Sequence, residues 1–343
     1  MSDSIEKGNN NTGIVVSSRV RLARNCADYP FPPRLGTDEA IKVVNIFKSA
    51  IIDSKDDLSK KLIFIDSTKA PKLEKACLVE KHLISRDFAS KSEVTGLIIS
   101  KDEDISLMIN EEDHLRIQSI LEGLQISKCW GNCNLIDNII EENVEYAYSD
   151  ELGYLTSCPT NVGTGMRVSI MVHLPALTIL GYLKNVIETV NKLGITVRGL
   201  YGEGSEFMGN LYQLSNQVSL GQPEEEIITK IEVIAQRIIE QEMLARERLL
   251  GTRVQLEDRV FRSYGVFTSA RILSSAECMK LLSDVRMGIE LGIIENISME
   301  VINELMIITQ PANLQKYYHS TITTPTDRDI KRAELIREKL GGN

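Results

Sequence analysis

The run Asn110-Glu111-Glu112-Asp113-His114-Leu115-Arg116-Ile117 packs three acids, a histidine and an arginine into one short stretch. Carboxylates of this kind can hold a cation and accept a proton, while the arginine can hold an anion. Further arginines arrive from separate segments: Arg19 and Arg21, Arg167, and Arg198. Their guanidinium forks bind phosphate bidentately and stay charged, so together they suit a triphosphate. The acids Glu112 and Glu203 cannot bind phosphate and suit a cationic acceptor. Cys158 precedes Pro159 at an expected strand end, where it reads as a reactive thiol or as a buried structural one. Gly163 and Gly165 bracket Thr164 in a loop that leads into a strand. Such a loop can offer backbone N–H groups to phosphate, or it can be a plain hairpin turn. It is not a Walker loop, because G-x-x-x-x-G-K-[ST] is absent and no helix follows.

The elements that must position these groups follow from periodicity. Val15, Ser17, Arg19 and Arg21 share one parity of an expected strand, with Val20 and Leu22 opposite. Two arginines on one strand face repel each other unless an anion lies between them; the alternative is a solvated edge. Ile105–Ile109 alternates as a strand, and Thr95–Asn110 reads as a hairpin turning at Lys101–Asp104. After the acidic run, Leu115, Ile117, Ile120, Leu121 and Leu124 recur at helical spacing. The acids are therefore expected at a helix start, with Asn110 as N-cap and the helix amides favouring anions. Further helices are expected over Thr37–Ile52, Lys69–Ile84 (carrying His82), Ala176–Lys192 and Glu224–Leu250, with Pro223 opening the last. Beyond Gly251 the pattern is helical over Thr268–Ile272, Ser275–Leu291, Ser298–Ile308 and Thr326–Leu340.

Composition narrows the class. The chain has 343 residues, is 43% hydrophobic and 25% charged, and carries a net charge of −9. That balance argues against a dedicated nucleic-acid binder but leaves room for a local gathering of arginines. Residues 1–13 are Asn- and Gly-rich and are expected to be disordered. No apolar run is long enough to span a bilayer and no signal peptide is evident, so a cytoplasmic location is the default expectation. Six cysteines without regular spacing suit reduced thiols. Cys129 and Cys133 find no further pair to complete a metal site, and none is expected.

SSRVRLAR, NEEDHLRI, CPTNVGTGMRVS, and RGLYGEGSE with the later SNQVSLG resemble the signatures of the phosphagen (guanidino) kinases, in the same order. The resemblance spans roughly residues 14–250 and is nearest to the family's bacterial protein-arginine kinases. The chain starts almost directly with the catalytic segment, the loop reads GLYGEGSE, and NLQKYY precedes DRDIKRAELIREKL in the tail. The resemblance implies an α+β fold: a large antiparallel sheet flanked by helices over 14–250, with a small helical C-terminal domain over 251–343. It implies transfer of the γ-phosphoryl group of ATP, with Mg²⁺, to arginine side chains of proteins. By the same resemblance Arg19, Arg21, Arg116, Arg167 and Arg198 hold the ATP phosphates, and His82 lies near base and ribose. Glu112 is the catalytic carboxylate, Glu203 the second acceptor carboxylate, and Cys158 the thiol beside the guanidinium. Tyr201 departs from the arginine kinases, which carry an arginine there. The implied partners are a zinc-binding activator (McsA), the CtsR repressor, the ClpC protease system and a second copy of the chain. Two alternatives stand beside this reading: a kinase for a free guanidino compound, and a non-catalytic phosphoarginine-binding module.

In the tail, Arg328 and Arg332 share a helix face with Asp329 beside them. This is a solvated charged helix end or a phosphoarginine sensor, since that ligand needs cations and an acid together. The resemblance of R-D-x-x-R-A to the protein-arginine kinase tail favours the sensor.

Overall fold

The computed structural model describes residues 13–54, 56, 58–199, 207–319 and 324–341. The chain opens with β1 (Val15–Arg24), then α1 (Thr37–Ile52), β2 (Leu62–Asp66), α2 (Lys72–Glu80), α3 (Arg86–Ser90), β3 (Gly96–Ser100), β4 (Ile105–Ile109) and β5 (Leu115–Glu122). It continues through α4 (Ile126–Glu141), the short strands β6 (Tyr148–Ser149) and β7 (Gly153–Tyr154), β8 (Met166–His173), α5 (Pro175–Ile179), α6 (Leu183–Lys192), β9 (Ile195–Arg198) and β10 (Leu211–Asn216). The rest is helical: α7 (Glu224–Leu250), α8 (Arg253–Ser269), α9 (Ser275–Glu290), α10 (Met299–Ile308), α11 (Pro311–Tyr317) and α12 (Pro325–Lys339).

An eight-stranded sheet runs in the order β2-β3-β4-β5-β1-β8-β10-β9, and every neighbouring pair is antiparallel. This is the large antiparallel sheet expected from the resemblance. β1 sits inside it because both its edges are used, by β5 and by β8. Its alternation then divides the sheet into two faces. Val20 and Leu22 are fully buried against the helical layer, where the thiols of Cys129 and Cys133 on α4 meet the Ser18 and Val20 carbonyls at 3.4 and 3.5 Å. Arg19 and Arg21 point to the other face. The C-terminal helices dock on this body at several points. Glu80, the last residue of α2, accepts the Ala312 and Asn313 amides at 2.7 and 2.8 Å and so caps α11.

Five expectations fail. The segment after the acidic run is strand β5, not a helix. Leu115 and Ile117 face the core while Arg116 and Gln118 face away, and ladders to both β1 and β4 outweigh the accidental helical spacing. Asn110 is accordingly no N-cap. It turns the β4–β5 connection at φ +61° and donates its side-chain amide to the Ala40 and Val94 carbonyls at 3.0 and 3.1 Å. The helix over Lys69–Ile84 is only Lys72–Glu80, and His82 follows it in a left-handed conformation, φ +61°. The helix over Ala176–Lys192 is two, broken at Gly181 with φ +76°. Thr268–Ile272 holds only the end of α8, a long helix that periodicity did not mark. Residues 1–12 and Glu203 lie outside the described residues.

Candidate active site

The open face of the sheet gathers the arginines that the sequence scatters. Arg21 on β1 stands directly opposite Gln118 on β5 and Arg167 on β8. Arg19 stands opposite Ser169, whose hydroxyl accepts from Arg19 Nε at 3.3 Å. Arg116 lies two residues from Gln118 on the same face of β5, and Arg198 ends β9 opposite Gln213. Arg167 Nη2 donates to Ser215 Oγ on β10 at 3.0 Å. All five border one cavity of about 780 Å³, together with His82, Glu112 and Cys158.

This concentration of like charge is electrostatically costly without an anion. The Arg19 guanidinium is pushed down to about 10, first by burial and then by Arg167 and Arg116. Arg21 is pushed well below its ordinary value by burial and by Arg19, Arg116 and Arg167, with Glu111 opposing. An arginine does not release its proton in a protein at working pH. The shifts therefore record an unmet demand for negative charge, which a polyphosphate meets. His82 is pushed down to about 3 by burial, Arg19 and Arg86, so it borders the cavity as a neutral imidazole.

The acids Glu111 and Glu112 border the same cavity and pair with one of its arginines. Glu111 is buried and pairs with Arg116 Nη1 at 2.7 Å, and its other oxygen accepts from the Ser85 hydroxyl. Glu112 pairs with Arg116 Nη2 at 3.0 Å but keeps 44% of its side chain exposed. Burial raises its pKa, Arg116 opposes, and Asp113, Glu111 and Asp87 add to the rise. A carboxylate so placed is reachable and a better proton acceptor than an ordinary glutamate. Asp113 is buried and its Oδ1 accepts from Asn25 Nδ2 and from the Ser157 amide, both at 2.7 Å. That contact ties the acidic turn to the segment carrying Cys158. Cys158 is the one cysteine of six that is not buried, and its sulfur lies 3.1 Å from Thr160 Oγ1.

The glycines before β8 serve close packing. A Cβ on Gly163 would sit 2.7 Å from the Leu220 Cα and the Ser219 carbonyl oxygen. Gly165 borders the cavity and packs on the Ala23 carbonyl. Sequence reasoning missed Ser85, Arg86 and Lys91, which also border the cavity. Lys91 Nζ donates to the Asn110 and Glu111 carbonyls at 3.0 and 2.5 Å and braces the acidic turn. Their only signal was nearness to His82 in the chain. The tail residues lie apart from this cavity. Arg332 is buried, and donates Nε to the Thr309 carbonyl at 2.8 Å and Nη1 to the Leu273 carbonyl at 2.7 Å and to Asp329 at 2.6 Å. Arg328 is half-buried at the start of α12.

Among the described residues no group of three His, Cys, Asp or Glu side chains converges as a metal site. Glu112 and Asp87 border the cavity and fit a divalent ion held mainly by phosphate and water, the usual manner of Mg²⁺. No helix among the described residues is long and apolar enough to cross a membrane.

Comparison with known proteins gives this geometry its family. Residues 42–245 match the ATP:guanido phosphotransferase C-terminal catalytic domain, and residues 253–342 match the protein-arginine kinase McsB C-terminal domain. The chain is 48% identical to the protein-arginine kinase of Geobacillus sp. (strain WCH70), over 95% of this chain and 90% of that one. It is 47% identical to that of Bacillus subtilis (strain 168), with the same coverage. Among solved structures, a duplicated taurocyamine kinase from Schistosoma mansoni superposes with TM-score 0.60 and 28% identity, over 70% of this chain and 34% of that one. Lombricine kinase superposes with TM-score 0.59 at 24% identity, over 69% of each chain, which speaks for the fold alone. With one family covering more than half of its length and relatives near half-identical along nearly all of it, the chain belongs to the ATP:guanido phosphotransferases, within the protein-arginine kinase branch.

Proposed function

We propose that the five-arginine cavity binds the triphosphate of ATP, and that Glu112 and Cys158 receive a protein arginine at its other side. One observation carries the reading: Arg19, Arg21, Arg116, Arg167 and Arg198 converge on a cavity that also presents a half-exposed, proton-hungry glutamate. A guanidinium is a poor nucleophile because its lone pairs are delocalised and its pKa exceeds about 12. Glu112 orients the guanidinium and takes the proton from the attacking nitrogen. The nitrogen forms its bond to the γ-phosphorus as the bond to the β–γ bridging oxygen breaks, leaving ADP and a phosphoarginine. The arginines stabilise charge on the transferring group. Bound with the nucleotide, Mg²⁺ supplies further neutralisation of phosphate charge. Glu203 is proposed as the second carboxylate on the acceptor, by resemblance alone. A thiolate at Cys158 would add negative potential beside the guanidinium.

The wider reading rests on the branch's resemblance. It includes a cytoplasmic location, which six free thiols suit, a homodimer, and the partners McsA, CtsR and ClpC. It also places phosphoarginine at Arg328, Asp329 and Arg332. There Asp329 stays partly exposed while Arg332 is engaged with backbone carbonyls, so a docking phosphate would meet Arg328 first.

The test is incubation with γ-labelled ATP, an arginine-rich protein, its lysine-substituted counterpart, and free arginine. Label is expected on the arginine-rich protein in acid-labile form. Label on free arginine alone would overturn the protein-substrate reading.

A further inference from the structure

One length of chain, from Val79 to Lys91, supplies a flank of the arginine cavity and braces its acids. Val79, His82, Ser85, Asp87 and Lys91 all border the cavity. The Ser85 hydroxyl donates to the Glu111 carboxylate, which pairs with Arg116. Lys91 donates to the Asn110 and Glu111 carbonyls, and Gln118 donates to the His82 carbonyl at 2.8 Å. Little regular structure holds this length in place, since after α2 it contains only the five residues of α3. Ile84 and Phe88 anchor its middle in a small apolar cluster with Leu97 and Met108. Its start is held from outside the catalytic segment. On α2, Glu74, Cys77 and Glu80 recur at intervals of three on one helix face, and that face meets α11. Glu80 Oε1 accepts from the Ala312 amide at 2.7 Å, and Oε2 accepts from the Asn313 amide and from Asn313 Nδ2, both at 2.8 Å. Glu74 pairs with Lys316 at 2.6 Å on the exposed side of the same interface. The helix α11 is fixed in its turn: Leu314 packs with Leu335 of α12, and Arg332 donates to the Thr309 carbonyl just before it.

We propose that Glu80 is a positioning residue for phosphoryl transfer: through it the C-terminal helices set the flank of the cavity that holds Glu111, Arg116 and Glu112. The proposal rests on the ATP reading of the arginine cavity. Glu80 itself does not border that cavity. Three donors converge on its two oxygens, and hydrogen bonds to a carboxylate are roughly twice as strong as neutral ones. Two of the donors are backbone amides, so the clamp fixes α11 itself and not a mobile side chain. Without it, the chain from Glu80 to Lys91 pivots on Ile84 and Phe88. Ser85 and Lys91 move with that chain, and they hold the Glu111 side chain and two carbonyls of the acidic turn. A misplacement of about 1 Å at a reacting centre can cost about 10²-fold in rate. The centre of the arginine cage is built differently. Arg19, Arg21 and Arg167 stand on β1 and β8 and are placed by the sheet ladders. The clamp therefore acts on turnover more than on phosphate binding.

The experiment uses the full chain below its melting temperature. It measures kcat with ATP and an arginine-rich protein, and affinity for inorganic tripolyphosphate by calorimetry. Glu80→Gln keeps the side-chain length but turns one acceptor into a donor facing an amide. It should lower kcat about ten-fold or more and leave tripolyphosphate affinity unchanged. Lys316→Ala breaks only the exposed pair at the same interface and should leave kcat unchanged. Asn313→Ala removes one of the three donors and should give a kcat between wild type and Glu80→Gln. Added to Glu80→Gln, it should cost less than it does alone, because both act through one contact. Wild-type kcat in folded Glu80→Gln would overturn the proposal. So would equal losses of kcat and tripolyphosphate affinity, or a fall in Lys316→Ala that matches Glu80→Gln, since either marks a general loosening of the fold. If Glu80→Gln does not fold, Asn313→Ala decides, and a wild-type kcat there overturns the proposal. A wild-type protein that transfers no phosphate from ATP would overturn the ATP reading, and the positioning role with it.

Discussion

Two sets of arginine in this molecule meet opposite fates. In the cavity, Arg19 and Arg21 face Arg167 and Arg116, and both are driven down from their ordinary values by burial and by one another. In the C-terminal helices, Arg332 is more deeply buried, and its donors end on the Thr309 and Leu273 carbonyls and on Asp329. Arg24, on the same strand as Arg19 and Arg21, sides with Arg332: it pairs with Asp137 at 2.6 Å and lies 3.5 Å over the Tyr154 ring. A buried cation surrounded by acceptors holds the fold together. Half-buried cations crowded onto one cavity wall cost stability until an anion arrives, which is the mark of a site kept for a ligand.

The largest effect that sharpens this contrast is on the acid beside the cage. Glu112→Gln should cut turnover about 10²- to 10⁴-fold, the usual worth of a general base. ATP affinity should not fall, because a carboxylate gives nothing to a triphosphate and Arg116 stays held by Glu111 when its pair with Glu112 is lost. Equal loss of affinity and turnover, measured by calorimetry and single-turnover kinetics, would move Glu112 into the cage.

On the structural side, Arg332→Met should destabilise the protein by about 2–5 kcal/mol, since it strands two backbone carbonyls and Asp329. Arg328→Met at the edge of the same helix should cost less than about 0.5 kcal/mol. Chemical denaturation separates them, and equal effects would erase the distinction between the two arginines of the tail motif.

The pH profile gives a smaller, directional effect. Glu112 must be ionised to accept a proton, and its pKa is raised, chiefly by burial. Turnover should therefore fall as pH drops through that raised value, about ten-fold per pH unit below it, and the acid limb should lie above the ordinary glutamate range. A limb that persists unchanged in Glu112→Gln would assign it to another group.

Smallest is the thiol. Cys158→Ala should slow turnover by about ten-fold or less, since a nearby negative potential assists without accepting the proton. Alkylation should label Cys158 ahead of the five buried cysteines, and ATP with an arginine substrate should protect it. An inert Cys158 in the folded protein would remove it from the site.

The contrast also explains what could be read without coordinates. Strand parity was enough to put Arg19 and Arg21 on one face, because a period of two leaves no choice. It failed at β5, where Ile117, Ile120, Leu121 and Leu124 satisfy a helical spacing while the ladders to β1 and β4 hold Leu115 and Ile117 in a strand. Those ladders are long-range and leave no local trace. The same limit hid the fate of Arg332, whose partners Thr309 and Leu273 lie 23 and 59 residues away. It hid Lys91 and Ser85 too, which brace the acidic turn from across the fold. Local patterns name residues able to do chemistry; only the packing tells which arginines are already spent on the protein.

The most direct test of the central claim is the melting temperature of Arg21→Met with and without ATP. If the cage is held open for an anion, removing one of its mutually repelling cations should leave the melting temperature of the nucleotide-free protein unchanged or raise it, and should abolish most of the rise that ATP gives the wild type. If Arg21→Met instead melts well below wild type without nucleotide and keeps the full ATP-induced rise, Arg21 is a structural arginine like Arg332 and the account of the cavity is wrong.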